Sequence, residues 1–417
     1  MIESANRNLS SHRAAEFGLK AEVGSADITA IRDRKRRLID DFAGYRQEQL
    51  NDGRFTLLRG QARFIGPKAV EVRLRDGGGT TQIDFKAACI ATGSHVAVPP
   101  MPGLKETGFW TSDDILDASS LPASFIVLGG GAIALEMVHY LAGMDRKVTL
   151  IQRGDHLLTM MDPDCGDVVA KAFRHRGIDV HCGTSVQKIE RTATGKRVTF
   201  KAGDQSVSVE AAEILLATGR SAATEGLNCE AAGFQLKGPK IVVDEAMRTG
   251  VEHLFAAGDV CSPLDVVHIA IQQAEIAATN AAALIQGEEG ESRMDYRMAL
   301  FGVFCEPQVA GVGPSEASLK KGGVPFVSAS YPFNDHGKSM VMGETEGFVK
   351  LLAHRETGEI LGGSVVGPHA TEIIHEIVVA MAFRSTARQL AAIPHYHPTL
   401  SEIWTYPAEE LADLIDA

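Results

Sequence analysis

Aromatic side chains are scarce in this chain: two Trp, six Tyr and 17 Phe make up only 6% of its 417 residues. With 45% apolar residues and 42 Gly, the composition suits a glycine-punctuated α/β protein. Long apolar runs are missing as well. None approaches the ~20 residues needed to cross a bilayer, so no membrane partner is expected. The opening MIESANRNLSSHRAAEFGL lacks the apolar centre of a secretion signal, which predicts a cytoplasmic protein. Positive charge is in deficit, 41 Lys and Arg against 53 Asp and Glu, and the net charge of −12 argues against a nucleic-acid surface. The one basic cluster, Arg32 to Arg37, contains Asp33 and is followed by Asp40 and Asp41, so it reads as a solvated helix face. Paired cysteines are absent too. Cys89, Cys165, Cys182, Cys229, Cys261 and Cys305 form no CxxC or CxxxxC, and no His/Cys spacing suits a metal. They read as reduced structural thiols, without a metal site and without a redox dithiol.

A chain of this length exceeds what one hydrophobic core supports, and several domains are expected. Residues 1–48 carry helical apolar spacing: Leu9, Ala14, Phe17 and Leu19, then Ile28, Ile31, Leu38, Ile39 and Phe42. The pattern starts at Met1 with no capping residue before it, as though the chain were cut inside a helix. Alternating runs such as VEVRLR and TQIDF predict a small antiparallel sheet between Phe55 and Phe85. AACIATGS (87–94) predicts a buried strand ending in Gly. FIVLGGGAIALEMVHYLAGM (125–144) reads as strand, glycine turn and helix, and KVTLIQR as the next strand. ILLATGR (214–220) is a further buried strand, and residues 266–286 an alanine-rich helix. From about Phe301, strands (FVKLLAH, ILGGSVVG) precede helices (TEIIHEIVVAMAF, ARQLAAI), the order of a separate α+β module.

Three places carry chemistry. Gly129, Gly131 and Ala134 occupy the G-x-G-x-x-G/A positions between a strand and a helix, the context a dinucleotide fingerprint requires. The first glycine allows the tight turn, the second admits the pyrophosphate, and the small third residue lets helix and strand pack closely. The helix N-terminus then offers free N–H groups and a positive dipole to the phosphates. At the end of the following strand, NAD favours an acid for its ribose 2′-hydroxyl, yet Gln152 and Arg153 stand there. A 2′-phosphate fits that pair better, favouring NADP over NAD; the alternative is an ordinary exposed strand end. In LFAAGD (254–259), Gly258 lets the backbone approach a ligand and Asp259 sits at a strand's carboxyl end, although an Asp after Gly is also a common turn. In HYHPTLSE (395–402), Pro398 restricts His397 to extended geometry, and Glu402 falls on the first turn of a helix. A carboxylate there would fix the imidazole's tautomer for general acid/base work; read alone, such a motif is more often a loop detail.

ATGS, GGGAIALE, ATGR, LFAAGD and HPTLSE, in this order and spacing, resemble the flavin-dependent pyridine nucleotide–disulfide oxidoreductases, nearest the dihydrolipoamide dehydrogenase, glutathione reductase and mercuric reductase group. The resemblance spans essentially the whole chain. It implies two Rossmann-like nucleotide-binding domains, the first truncated at its N-terminus, and a C-terminal α+β dimerisation domain. The implied division is 1–120 and 246–300 for FAD, 121–245 for NAD(P), and 301–417 for the homodimer interface. Ala62 would meet the adenine end of FAD through its backbone, while Thr92, Gly93 and Ser94 would line the flavin. Gly258 and Asp259 would serve the ribityl chain, and Val267 and His268 would face the flavin ring. Gly129, Gly130, Gly131, Ala132, Ile133, Ala134, Leu135 and Glu136 would hold NADP or NAD, with Glu136 near the nicotinamide and Gly219 touching it. His397, oriented by Glu402, would be the acid/base for a thiol in the partner subunit's site.

Members of the family also begin with a first flavin fingerprint and a CxxxxC disulfide, which these 417 residues do not contain. The expectation is that Met1 is an internal methionine of a longer product; the alternative is a true truncation. The chain as given would then bind FAD poorly and act as a flavin-poor nucleotide-binding dimer without disulfide chemistry. Within the group, a mercuric reductase-like homologue would carry a vicinal cysteine pair near its end, yet no Cys follows Cys305. A glutathione reductase would add a basic residue where Leu157, Leu158 and Thr159 stand and a tyrosine at the Ala132 position. The substrate expected is a small-molecule or protein-bound disulfide, with lipoamide leading.

Overall fold

Four strands without a charged residue in their centres form the middle of one unit. In this computed structural model, which describes residues 1–22, 24–75 and 77–416, they run parallel in the order Glu213–Leu216, Ser124–Leu128, Lys147–Ile151, Asp179–His181. FIVL, VTLI and ILL are buried almost completely, as strands covered on both faces must be. Helix Ala132–Gly143 packs on this sheet with Leu135, Val138 and Leu141 fully buried. Helix Ile2–His12 lies against it in turn. Ala5 is wholly buried there, and a Cβ on Gly143 would stand only 2.6 Å from the Ala5 Cβ. Asn8 also donates to the Gly143 carbonyl at 2.9 Å, closing a helix end that would otherwise leave an acceptor free.

An antiparallel sheet of three strands, Thr184–Arg191, Lys196–Ala202 and Gln205–Ala211, is inserted before the last parallel strand. The same unit holds five antiparallel strands in the order Leu300–Val303, Gln308–Val312, Ile360–Gly367, Phe348–His354, Phe326–Pro332. Helix Ala370–Ala382 covers this sheet through Ile373, Ile374, Ile377 and Met381. Trp404, fully buried, donates its indole N–H to the Ile373 carbonyl at 3.0 Å. One apolar cluster joins Val127, Leu135 and Phe173 to Val303, Val309 and Val366. The nucleotide-type sheet and the C-terminal sheet therefore share a core, and Met1–Lys35, Val98–Gly219 and Leu300–Ala417 form one compact unit.

The second unit comprises Arg36–Ala97 and Arg220–Ala299. Its meander Gly60–Gly66, Ala69–Leu74, Thr80–Asp84 appears where alternating residues predict it. Ala88–Ile90 pairs in parallel with Leu254–Ala256, and Ser94–Val96 pairs antiparallel with Arg220–Ala222. Helix Val267–Gln286 packs against the parallel pair through buried Ile269, Gln273 and Ala277.

Two expectations need correction. AACIATGS is not a wholly buried strand: it contributes three strand residues, of which Ile90 is buried and Cys89 exposed. Paired in only a two-stranded ladder, it is not covered on both faces. Helix Ile28–Leu50 forms as its period predicts, yet only Ile28 is buried and Leu38, Ile39 and Phe42 stand exposed. Periodicity selects the helix, but a stripe is buried only where another element faces it. The Arg32–Arg37 cluster lies on that helix, with Arg32 paired to Asp33 and Lys35 to Asp117. Among the described residues, no helix is long and apolar enough to cross a membrane.

Candidate nucleotide and acid–base sites

The glycine turn is shaped by what its neighbours leave no room for. Gly129 has φ +126°, and a Cβ there would approach the Ala217 carbonyl oxygen to 2.2 Å. A Cβ on Gly130 would come within 2.7 Å of the Gln152 side chain. At Gly131 it would meet nothing within 4 Å, so this glycine borders open space in front of helix Ala132–Gly143. No side chain caps that helix, and its first N–H groups remain available to an anion. Ala132 and Ile133 are half-buried in the first turn, whereas Ala134 and Leu135 are buried against the sheet. This arrangement fits a pyrophosphate: tight where glycine must pack, open where a ligand must enter.

Glu136, one turn into the helix, accepts the Phe304 backbone N–H at 3.0 Å. Burial pushes its carboxyl above the ordinary range, with the Phe304 bond opposing. Gln152 follows strand Lys147–Ile151 and folds its amide inward, its Oε1 accepting the Arg153 N–H at 3.1 Å. Arg153 itself is exposed. Gly219, φ +116°, closes the strand Glu213–Leu216 side of the turn with nothing within 4 Å of its virtual Cβ.

In the second unit, Thr92 donates to the Ala223 carbonyl at 2.7 Å, and Gly93 takes φ +70°. Ser94 donates to Asp259 Oδ2 at 2.6 Å. Gly258, φ +78°, directs its N–H to the buried Gln273 amide oxygen at 2.8 Å, which fixes the turn that presents Asp259. Val267 and His268 stand exposed at the uncapped N-terminus of helix Val267–Gln286. Ala62 is exposed on the meander, opposite Val72. The structure thus brings Ser94 and Asp259 together, while Ala62 pairs with Val72 on the meander. It adds Arg220, whose Nε lies 2.6 Å from Ser94 Oγ and whose guanidinium stands 4.0 Å from Asp259. Sequence reasoning named Gly219 and passed over its neighbour; the R of ATGR was the available signal. A half-buried carboxylate held by a hydroxyl and faced by a guanidinium fits the hydroxyl-rich ribityl chain of a flavin.

His397 lies in the segment leading to the short helical turn Ser401–Trp404, and its peptide bond to Pro398 is cis. Its Nδ1 stands 2.9 Å from Glu402 Oε2. The imidazole is 78% exposed, whereas the glutamate side chain is 10% exposed. A carboxylate receiving Nδ1–H leaves Nε2 as the free, proton-accepting edge in solvent. Sequence spacing had named both residues. It had not named His336, which approaches the same glutamate from a distant segment.

All six cysteines are free thiols. Desolvation by the surrounding protein raises each of them, to about 12 for Cys165 and Cys261, and does so even for Cys89, whose side chain reaches solvent. None is therefore a thiolate poised for exchange. Among the described residues no group of three or more potential ligands could hold a metal.

Turn, helix terminus and histidine–glutamate pair lie in a chain whose residues 12–274 match the pyridine nucleotide-disulphide oxidoreductase family. Residues 301–408 match that family's dimerisation domain. The chain belongs to this family and is a FAD-dependent disulfide oxidoreductase of the kind that uses NAD(P)H. It is 31% identical to a dihydrolipoyl dehydrogenase of Haloferax volcanii, over 98% of this chain and 86% of that protein. It is 34% identical to a mercuric reductase of Acidithiobacillus ferrooxidans, over 90% of this chain and 67% of that one. Among solved structures, LpdA from Mycobacterium tuberculosis superposes with a TM-score of 0.84 at 27% identity, covering 98% of this chain and 88% of that chain.

Proposed function

We propose that the protein transfers electrons between NADPH and a lipoamide-like disulfide, with His397 as the acid/base for the thiol and Glu402 fixing its tautomer. The 2.9 Å contact of Nδ1 with a nearly buried carboxylate, on an imidazole whose other edge is in solvent, carries this reading. FAD, when bound, supplies the electron relay between nucleotide and disulfide. Ser94 and Asp259 hold its ribityl hydroxyls, Thr92 and Gly93 line it, Ala62 offers backbone to its adenine end, and the helix start at Val267 and His268 faces its ring. Gly129 to Glu136 cradle the pyridine nucleotide, and Gly219 borders it. Gln152 offers no carboxylate to repel a 2′-phosphate, and the exposed guanidinium of Arg153 attracts one. The flavin domain expected at 1–120 and 246–300 is drawn instead as Arg36–Ala97 with Arg220–Ala299, the unit that holds Ser94, Arg220 and Asp259, with the nucleotide-binding residues in Val98–Gly219 and 301–417 as the dimer domain, in a cytoplasmic enzyme.

The test is NAD(P)H oxidation by the purified chain with FAD and lipoamide supplied, run with each nucleotide. NADPH is expected to be used better, and Arg153→Ala to reduce that preference about tenfold, the effect of losing one charge-assisted contact. His397→Gln is expected to lower kcat by about 100-fold or more. A second reading, a nucleotide-binding dimer without disulfide chemistry of its own, is favoured by the six protonated thiols. Nucleotide binding without turnover would select it.

The C-terminal region exposes Val379, Phe383, Ile393 and Tyr396, four large apolar side chains close in sequence. Such a patch supports self-association. Phe383→Asp, at 81% exposure, is expected to shift the chain from dimer to monomer in light scattering at micromolar concentration, with the thermal midpoint of the monomer otherwise kept. A wild-type monomer would refute the dimer.

A further inference from the structure

Glu402 faces two imidazoles. Its Oε2 meets His397, and its Oε1 lies 3.4 Å from Nε2 of His336. His336 follows the short turn Phe333–Asp335 and stands just before helix Gly337–Met342 without a side-chain bond to its N-terminus. It is fully buried, its ring edge-on to Phe333 and to Tyr406 of the last helix. Its Nδ1 is 2.9 Å from the hydroxyl of Ser339, itself fully buried. Its Nε2 is buried without a hydrogen-bond partner of regular geometry, and the Thr399 backbone also lies close to the ring. The ionisable groups facing the ring are Glu402, His397 and the Tyr406 phenol; on its own segment, Asp335 is occupied by the Tyr331 hydroxyl at 2.9 Å.

We propose that His336 is a positioning residue for the His397–Glu402 pair, a neutral imidazole whose Nε2–H anchors the inner carboxylate oxygen of Glu402. The proposal rests on the reading of His397 as the acid/base group. A nearly buried carboxylate needs donors, and with one contact only it is free to turn away or take up a proton. The Ser339 hydroxyl can donate to Nδ1, which leaves the ring proton on Nε2, directed at Oε1. Burial holds the imidazole below its ordinary value, with Glu402 and the Thr399 backbone opposing, so it stays an uncharged donor. Two donors of different kind then serve one carboxylate: a fixed one inside and a proton-exchanging one outside. The inner donor spreads the charge of Glu402 and keeps Oε2 on His397 Nδ1.

The test is long-range proton–nitrogen NMR of the full 417-residue chain labelled at histidine, with His397 assigned by His397→Gln and His336 by His336→Asn. His336 is expected as the neutral Nε2–H tautomer throughout roughly pH 5.5–8.5, where an unperturbed histidine titrates. His336→Phe is expected to raise the His397 midpoint by about half a pH unit or more, because charge returns to Oε2, and to blur its Nδ1–H tautomer signal. His336→Asn, a shorter neutral donor, is expected to fall between. A charged or Nδ1–H His336 overturns the proposal, as does an unchanged His397 midpoint and tautomer in His336→Phe. Should His336→Phe not fold, the wild-type tautomer decides alone. The spectrum needs no turnover, so failure here is separable from failure of the acid/base reading, which would show as full activity in His397→Gln.

Discussion

Lys350→Ala is expected to destabilise the protein by about 3 kcal/mol, the low end of the usual cost of breaking a buried ion pair, because Asp162 is left nearly buried and uncompensated while Asp164 and Glu316 reach solvent. The ammonium is 6% exposed and lies 2.6 Å from Asp164, 3.1 Å from Asp162 and 3.4 Å from Glu316. Asp162 and Asp164 begin helix Pro163–His175, and Glu316 begins helix Glu316–Gly322. One lysine from the C-terminal sheet thus ties two helix starts, one of them in the nucleotide-type region. Burial opposes its charge, but the bonds to Asp164 and Asp162 outweigh that and hold the ammonium well above the ordinary lysine value. A raised lysine contributes stability that is complete below its unfolded value of 10.5 and lost as pH climbs through the folded one. The mutant deficit is therefore expected to be constant through neutral pH and to shrink only in strong alkali. Urea unfolding of both proteins at pH 7, 9 and above measures it. A deficit below about 1 kcal/mol at pH 7, the worth of an exposed pair, would refute the buried-anchor argument.

Acid sensitivity is the second large effect, and it traces to one histidine. His139 is fully buried, its Nε2 2.7 Å from Asn6 Oδ1 and its Nδ1 3.2 Å from an Arg176 nitrogen. The guanidinium can only donate, so Nδ1 must be bare and the proton sits on Nε2. Burial, with the Arg176 and Arg13 guanidiniums adding to it, pushes this histidine down to about 3 from 6.5. The unfolded chain therefore takes up a proton near pH 6.5 that the folded chain refuses until near pH 3. The stability from His139 is complete above pH 6.5 and falls by about 1.4 kcal/mol per pH unit below it. Between pH 7 and pH 5 the wild type is expected to lose about 2 kcal/mol more than His139→Gln, read from urea midpoints. Parallel acid limbs for the two proteins would sink the assignment.

Much of the architecture was legible because it depends on local pattern. Strand-like runs FIVL and VTLI around three glycines could only be a strand–turn–strand unit with a helix between, and alternation marked the meander at 60–84. The pairing of His397 with Glu402 was also readable, since five residues separate them and Pro398 restricts the path. Burial was less legible. The spacing of Leu38, Ile39 and Phe42 says which way a helix face points and nothing about what stands opposite. Cys89 was misplaced for the same reason, because a three-residue apolar stretch does not reveal how many strands flank it.

What the sequence by itself determined is the set of local conformations and the chemistry each carries: the positive-φ glycine at 129, the uncapped helix after Gly131, the missing carboxylate at Gln152, the histidine before Pro398. Only the tertiary structure decided which distant groups share a low-dielectric space. It brought His336 to the far side of Glu402, Asn6 and Arg176 to His139, and three carboxylates to Lys350. Electrostatic coupling and desolvation depend on separation in space and on exclusion of water, and neither quantity is encoded in the spacing of residues along the chain.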